Sequence, residues 1–189
     1  MGPMKSHFCA LPALVLVLTA ATASFATPQT LQIDPSQTRI DIAVQATADS
    51  FTGHLQHCEP VITLGADGAV TAVRVPFHFR DVVTGKPKRD TAMHEWQQTD
   101  KFPDGEFVLS SLSAGEAGHY TAKGQLTFHG VSQDLSFPVT ITADHALYTI
   151  DGEATLSTPS YGLPIIRVMA FLKVDPVVKV AFHLQGHAS

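Results

Sequence analysis

Two short stretches of the chain contain residue types that could carry chemistry. The first, His94-Glu95, begins like the zinc-protease signature H-E-x-x-H. That chemistry needs a second histidine four residues on, because the two rings must share one helix face to bind the metal. The fourth residue after His94 is Gln98, so the motif is incomplete. The sequence therefore predicts no zinc hydrolase here.

The second stretch contains His54, His57 and Cys58, which are residue types that suit copper or zinc. In a regular strand His54 and Cys58 share a face but lie about 13 Å apart, and His57 points to the opposite face. This strand alone therefore cannot supply three ligands, unless a bulge or a neighbouring strand contributes. The same geometry excludes His57 and Cys58 as a catalytic dyad.

Four further histidines, His78, His94, His129 and His183, are candidates for haem or another cofactor. A lone strand histidine is more often a solvated polar residue, and the chain has no C-x-x-C-H motif for covalent haem. It also lacks the G-x-S-x-G elbow of serine hydrolases. We therefore expect no cofactor and no enzyme. A histidine-based metal- or haem-binding envelope protein remains the alternative.

The elements that must position these residues are mostly strands, since apolar and polar residues alternate along much of the chain. Ile40, Ile42 and Val44 form one such face, and turn signals such as His129-Gly130 separate the runs. Many short alternating strands predict an all-β fold, and we favour an antiparallel barrel of about eight strands because closure removes sheet edges. Helical spacing occurs near residues 91–98, where Thr91 would be the cap and Met93 and Trp96 would face inward.

The ends and the charge of the chain narrow its function further. Lys5, an apolar run from Leu11 to Ala21 and the small residues ending at Ala26 predict a cleaved signal peptide over residues 1–26. Residues 27–189 then form a single domain with one cysteine, Cys58, and no internal disulfide. No later segment is long and apolar enough to span a membrane. The formal net charge of −5, without a basic run, argues against nucleic acid.

Several short motifs follow one another in a characteristic order, and with them the chain resembles the YceI-like family, also called polyisoprenoid-binding periplasmic proteins. The resemblance covers about residues 30–186. It implies a lipocalin-like barrel in the periplasm, whose apolar cavity holds an isoprenoid or quinone-like lipid or a fatty amide, with a binding role and frequent dimers. The motifs are Ile33-Asp34, Phe51-Thr52-Gly53, Lys88-Arg89-Asp90, Lys101-Phe102-Pro103 with Phe107, Gly124 to Val131 (G-Q-L-T-F-H-G-V), Tyr161-Gly162-Leu163 and Asp175 to Val180.

The chain departs from this family pattern beside Arg89-Asp90. Family members commonly have a histidine two residues after R-D, where this chain has Ala92. No role of that histidine can therefore be transferred to this chain. The segment from Asp90 to Pro103 is also about two residues shorter than usual, which predicts a different shape for the mouth of the barrel.

The apolar faces predict which side chains line a cavity. Met93, Trp96 and Phe102 would cover or shape its entrance, and Arg89 and Arg167 are the candidates for contact with a ligand head group. Gly124 and Gly152 stand on apolar faces, where they could let the sheet coil tightly or leave room for a ligand. The predicted lining is Ile42, Val44, Val75, Phe77, Phe79, Phe107, Leu126, Phe128, Phe137, Val139, Val180 and Phe182.

Overall fold

The computed structural model describes residues 28–47, 49–168 and 172–188. The predicted signal peptide, residues 1–26, lies outside the described residues. Within the described ranges the chain forms twelve strands and one α-helix, together with three short 3₁₀ turns. The elements are β1 Gln29–Ile33, β2 Arg39–Ala46, β3 Phe51–Leu55, β4 Val61–Leu64, β5 Val70–His78, β6 Val82–Val83, α1 Pro87–Gln97, β7 Asp104–Ala114, β8 His119–Phe128, β9 Val131–Asp144, β10 Leu147–Ser157, β11 Arg167–Val168 and β12 Leu172–Ala188.

Eight of the described strands close into an antiparallel barrel, which confirms the predicted fold class. The hydrogen-bonded order is β1-β4-β5-β7-β8-β9-β10-β12, and β12 returns to β1 through pairs such as Leu31 with Ala188. Closure leaves the barrel strands without a free edge, so the alternating sequence gives an apolar interior and a polar exterior.

The remaining strands extend one end of the barrel. β12 pairs with β2 from Val174 to His183 and with β1 from Gly186 to Ala188. A 3₁₀ turn that begins at Pro35 separates β1 from β2, and Asp34 stabilises it by accepting a hydrogen bond from the Ser36 amide at 2.8 Å. The bend lets one stretch of chain change neighbours, so β2, β3 and β6 build a second tier that leads into α1.

Opposite this tier, apolar side chains fill the end of the barrel. Leu31, Ile62 and Leu64 are almost completely buried there. Tyr148 packs in the same cluster, and its hydroxyl donates a hydrogen bond to the Gly68 carbonyl oxygen at 3.0 Å. This plug closes the barrel at the turns that connect β4 to β5 and β9 to β10.

Glycines in the wall receive aromatic rings from neighbouring strands. Gly152 pairs with Phe182 across β10 and β12, and a Cβ atom built on Gly152 would overlap the Phe182 ring. A Cβ atom on Gly124 would overlap the Phe107 ring in the same way. The space above these glycines is therefore occupied by phenylalanine rings and is not vacant for a ligand.

The helix begins four residues earlier than its spacing predicted. Pro87 is its first residue, where a missing amide hydrogen costs nothing, and Asp90 accepts hydrogen bonds from the amide and hydroxyl of Thr84 at 2.9 and 2.6 Å. The prediction of Thr91 as the cap is wrong, because Thr91 lies inside the helix and its hydroxyl donates to the Pro87 carbonyl at 3.0 Å. The helix ends where Gln98 takes a left-handed conformation, with φ of 54°.

Candidate binding cavity

An elongated apolar cavity of about 540 Å³ occupies the interior of the barrel. Its volume lies within the range of known ligand pockets, about 300–1,000 Å³. The structure brings together around it the twelve side chains predicted as lining and two of the three predicted at the entrance. These are Ile42, Val44, Val75, Phe77, Phe79, Phe107, Leu126, Phe128, Phe137, Val139, Val180 and Phe182, with Met93 and Trp96.

Further lining residues were not singled out from the sequence. Many of them share a strand face with a predicted residue, so the same alternation could have found them: Ile40 precedes Ile42 by two positions, and Val178 precedes Val180. Pro164, Ile165 and Ile166 are different, because they lie in an irregular segment without periodicity. Only tertiary structure brings this segment to the cavity.

The cavity opens at the end where α1 lies. Among the described lining residues, those with exposed side chains are Ala92, Pro164, Ile165 and Asp175, and all four lie at this end. We call these four residues the opening. The opposite end is sealed by the plug around Ile62 and Leu64. An extended ligand would therefore enter at the helix and reach toward the plug.

Arg89 is the one cationic side chain in the described lining. Its guanidinium lies 4.1 Å from the ring centroid of Phe51, and its Nη2 atom is 2.8 Å from Oδ2 of Asp49. Its side chain is 20% exposed. A cation over an aromatic face and beside a carboxylate is held in place from two sides. Arg89 therefore offers fixed hydrogen-bond donors at the helix end of an otherwise apolar cavity.

Asp49 joins the start of α1 to the chain that leads into β3. Lys86 Nζ lies 3.3 Å from the same Oδ2 atom that Arg89 contacts. The hydrogen bond from Lys86, together with the charges of Lys86 and Arg89, lowers the pKa of Asp49 below its ordinary value. The carboxylate therefore stays ionised at neutral pH and attracts both cations of the helix.

Trp96 fastens the other end of α1. Its indole nitrogen donates a hydrogen bond to the Pro164 carbonyl oxygen at 2.9 Å, and its ring lines the cavity beside Met93. Gln97, on the next position, is completely buried and donates to the Phe102 carbonyl oxygen at 2.9 Å. These contacts order the helix and the segment after it, so the wall at the opening is built from both.

Two predicted site residues lie outside the cavity lining. Phe102 packs its ring against the imidazole of His129, with centroids 4.3 Å apart, and lies against Gly130. It therefore supports the turn between β8 and β9, where His129 and Gly130 both have positive φ. Arg167 is exposed and pairs with Lys173 between β11 and β12, next to the lining residue Ile166. Neither position suits a direct contact with a ligand inside the barrel.

The histidine and cysteine candidates do not converge. β3 ends at Leu55, and His54 instead contacts Asp41 at 2.7 Å while His57 contacts Glu59 at 3.4 Å. The described part of the chain contains no group of three histidine, cysteine or acidic side chains arranged to hold a metal. Burial, and secondarily the charge of Glu59, raises the pKa of the half-buried Cys58 thiol to about 11.

The four histidines considered for a cofactor each contact a nearby protein group. His78 pairs with Asp104 at 2.6 Å and His183 with Asp151 at 2.7 Å, both on the outer face of the barrel. His129 donates from Nδ1 to the Tyr161 carbonyl oxygen at 2.9 Å. His94 lies edge-on to the Phe79 ring and 3.3 Å from the Thr99 hydroxyl. These positions are spread around the barrel, so they do not form a common site.

Comparison with known protein families decides the relationship of this chain. The model of the YceI-like domain matches residues 31–186, which includes every strand of the barrel except the first two residues of β1 and the last two of β12. The chain belongs to the YceI-like family. The cavity described above is thus the interior of a YceI-like barrel. A search of curated protein sequences found no match.

Solved structures with the same fold come from several bacteria. BcnA of Burkholderia cenocepacia is 16% identical, with a TM-score of 0.74, over 82% of this chain and 99% of that one. A polyisoprenoid binding domain from Saccharophagus degradans is 13% identical, with a TM-score of 0.63, over 85% and 98%. The Campylobacter jejuni YceI protein is 13% identical, with a TM-score of 0.66, over 76% and 88%.

At these identities the likeness to the solved structures establishes the fold of this YceI-like chain and nothing finer. Its helix α1 is short, and the described residues contain no helix that is both long and apolar enough to cross a membrane. What the cavity holds has to be argued from its own shape and chemistry.

Proposed function

We propose that this protein binds one long apolar molecule in its barrel, namely an isoprenoid or quinone-like lipid or a fatty amide. The observation that carries the proposal is the cavity of about 540 Å³, which is lined by hydrocarbon, open at α1 and sealed at the far end. Each methylene moved from water into such a cavity contributes about 0.8 kcal/mol. A long chain therefore binds strongly with few polar contacts. The name of the Saccharophagus degradans relative, a polyisoprenoid binding domain, agrees with this ligand class.

The polar end of the ligand would lie at Arg89. This guanidinium is fixed by Phe51 and Asp49 and lines the cavity near the opening. Since Asp49 already neutralises its charge, a neutral acceptor such as a carbonyl or hydroxyl oxygen suits it as well as an anion does. Length and width of the apolar tail then set specificity, with one hydrogen-bonded group to fix orientation.

A binding role, rather than catalysis, fits the polar groups of the lining. Thr158 donates to the Pro176 carbonyl oxygen at 3.1 Å, Asp175 accepts from the Val177 amide at 2.9 Å, and Arg89 is paired with Asp49. Each is engaged in local structure, and none is paired with another as a nucleophile and base would be. We propose that the protein carries, stores or senses its lipid in the periplasm after removal of residues 1–26.

The test uses the mature chain purified from its native host without detergent. Native mass spectrometry, organic extraction and metal analysis are run on the same preparation. We expect one bound lipid of several hundred daltons per chain, a size order set by the cavity volume. Stoichiometric metal or a haem absorption band would favour the histidine-based alternative instead. A protein that is empty and takes up no added lipid would contradict both. The same mass spectra test the predicted homodimer.

A further inference from the structure

The surface around the opening carries an unbalanced set of cations. Lys88 lies one helical turn before Ala92, and Arg167 and Lys173 are neighbours between β11 and β12, beside the lining residues Ile166 and Val174. All three side chains are exposed, and none has a carboxylate partner among the described residues. We call Lys88, Arg167 and Lys173 the basic rim.

The acidic residues of the same end are mostly occupied. Asp49 contacts Lys86 and Arg89, and Asp90 accepts two hydrogen bonds from Thr84. Asp175 binds the Val177 amide, which leaves Glu95 at the far end of α1 as the remaining exposed carboxylate. The balance of uncompensated charge at this end is therefore positive.

The sealed end has the opposite charge. Its turns, at residues 65–69, 115–118 and 144–146, contain Asp67, Glu116 and Asp144 and no lysine or arginine. The formal charge of the whole chain is −5. Because the Debye length is about 8 Å at physiological salt, a charged surface that meets the opening feels the basic rim and hardly feels the far end. The barrel is thus polarised along its axis, with the positive end at the opening.

The basic rim surrounds exposed apolar side chains. Pro164 and Ile165 stand at the opening, and Ile165 is 39% exposed although it is a large aliphatic residue. Cations around a small protruding apolar surface match an anionic lipid bilayer, whose head groups attract the cations while the apolar residues reach the acyl boundary. A hydrated acidic protein surface would explain the cations but not Ile165.

We propose that the opening docks on an anionic phospholipid bilayer through the basic rim and through Pro164 and Ile165. Docked in this way, the cavity faces the acyl chains, so an apolar molecule can pass between bilayer and barrel without crossing water. The docking depends on the surface of the opening and not on the cargo. It can therefore fail while lipid binding holds, and it can hold if the cavity is empty.

The test is co-sedimentation of the mature chain with vesicles of phosphatidylcholine alone or mixed with phosphatidylglycerol. We expect binding to the mixed vesicles only, weakened by added salt. The double variant R167E/K173E should lose at least about 25-fold in affinity, since each removed cation contributes about fivefold. This cross-strand pair is like-charged before and after the change, and neither residue lines the cavity. The milder R167Q/K173Q variant gives the same comparison if the double reversal unfolds the chain.

The matched control is K123E/K179E, which makes the same change in net charge on the barrel wall, where both lysines are exposed. We expect it to bind mixed vesicles as the unmodified chain does. The proposal is overturned if both double variants lose binding equally, because net charge would then explain the result. It is also overturned if neutral vesicles bind equally well, if no vesicle binds, or if the rim variants bind normally.

Discussion

The Trp96 indole donates a hydrogen bond to the Pro164 carbonyl oxygen at 2.9 Å, and this contact ties the end of α1 to the irregular segment on the other side of the opening. Trp96→Phe keeps an aromatic ring in the cavity wall but removes the donor. One hydrogen bond contributes about 1 kcal/mol, so we expect the apolar fluorescent probe N-phenyl-1-naphthylamine to dissociate about fivefold faster. Stopped-flow fluorescence measures this rate, and an unchanged rate would show that the contact does not restrain the opening.

Val180→Trp tests whether the cavity is the binding site. Val180 lines the cavity from β12, so an indole there would take the space of about three ligand methylenes and lower affinity about 50-fold. The control is Val177→Trp on the same strand, because Val177 is 42% exposed on the outer face. We expect both variants to melt within a few degrees of the unmodified chain, and only the first to lose the probe. Equal affinities in a fluorescence titration would place the ligand elsewhere.

Gly152→Ala tests the glycine that receives the Phe182 ring. The added methyl overlaps that ring, so we expect a loss of about 1–3 kcal/mol in the free energy of unfolding, measured in urea. Phe182→Leu makes room for the methyl. The double variant should therefore be at least ~1 kcal/mol more stable than the sum of the two single changes predicts. Strict additivity would mean that the two residues are not in competition for space.

Asp49→Asn tests the attachment of the helix start. Because Lys86 and Arg89 lower the pKa of Asp49 below 3.8, its contribution is complete above that pH and is lost as the pH falls through the lowered value. We expect probe release from the unmodified chain to be constant between neutral pH and about pH 5 and to accelerate below 3.8. The Asp49→Asn variant should release the probe faster at neutral pH, with less acceleration in acid. Parallel pH profiles would contradict this role.

Cys58 should react slowly while the chain is folded. With a pKa of about 11 against an ordinary value of 9.0, the thiol has ~100-fold less thiolate at neutral pH than a free cysteine, and thiolate is the reactive form. Residues 27–189 contain this one cysteine. A dithionitrobenzoate assay should therefore show slow labelling in buffer and fast labelling in guanidinium chloride. Fast labelling of the folded chain would contradict the buried position.

Much of the fold could be predicted because strand alternation is local. Ile42 and Val44, or Val180 and Phe182, face the same side of a strand whatever the strand pairs with, so their common exposure to the interior follows from the period of two. The turn at His129-Gly130 is local in the same sense. The approximate position of the helix followed from the spacing of Met93 and Trp96, although its start at Pro87 did not.

Relations between distant residues were decided only in the folded chain. That β12 returns to β1, that the interior is a cavity and not a packed core, and that Phe107 and Phe182 occupy the space above Gly124 and Gly152 depend on which strands meet. The same holds for Phe102, which packs on His129 and not in the cavity, and for Pro164 beside Trp96. Local patterns determine the direction of each side chain, while the partner it meets depends on closure of the whole sheet.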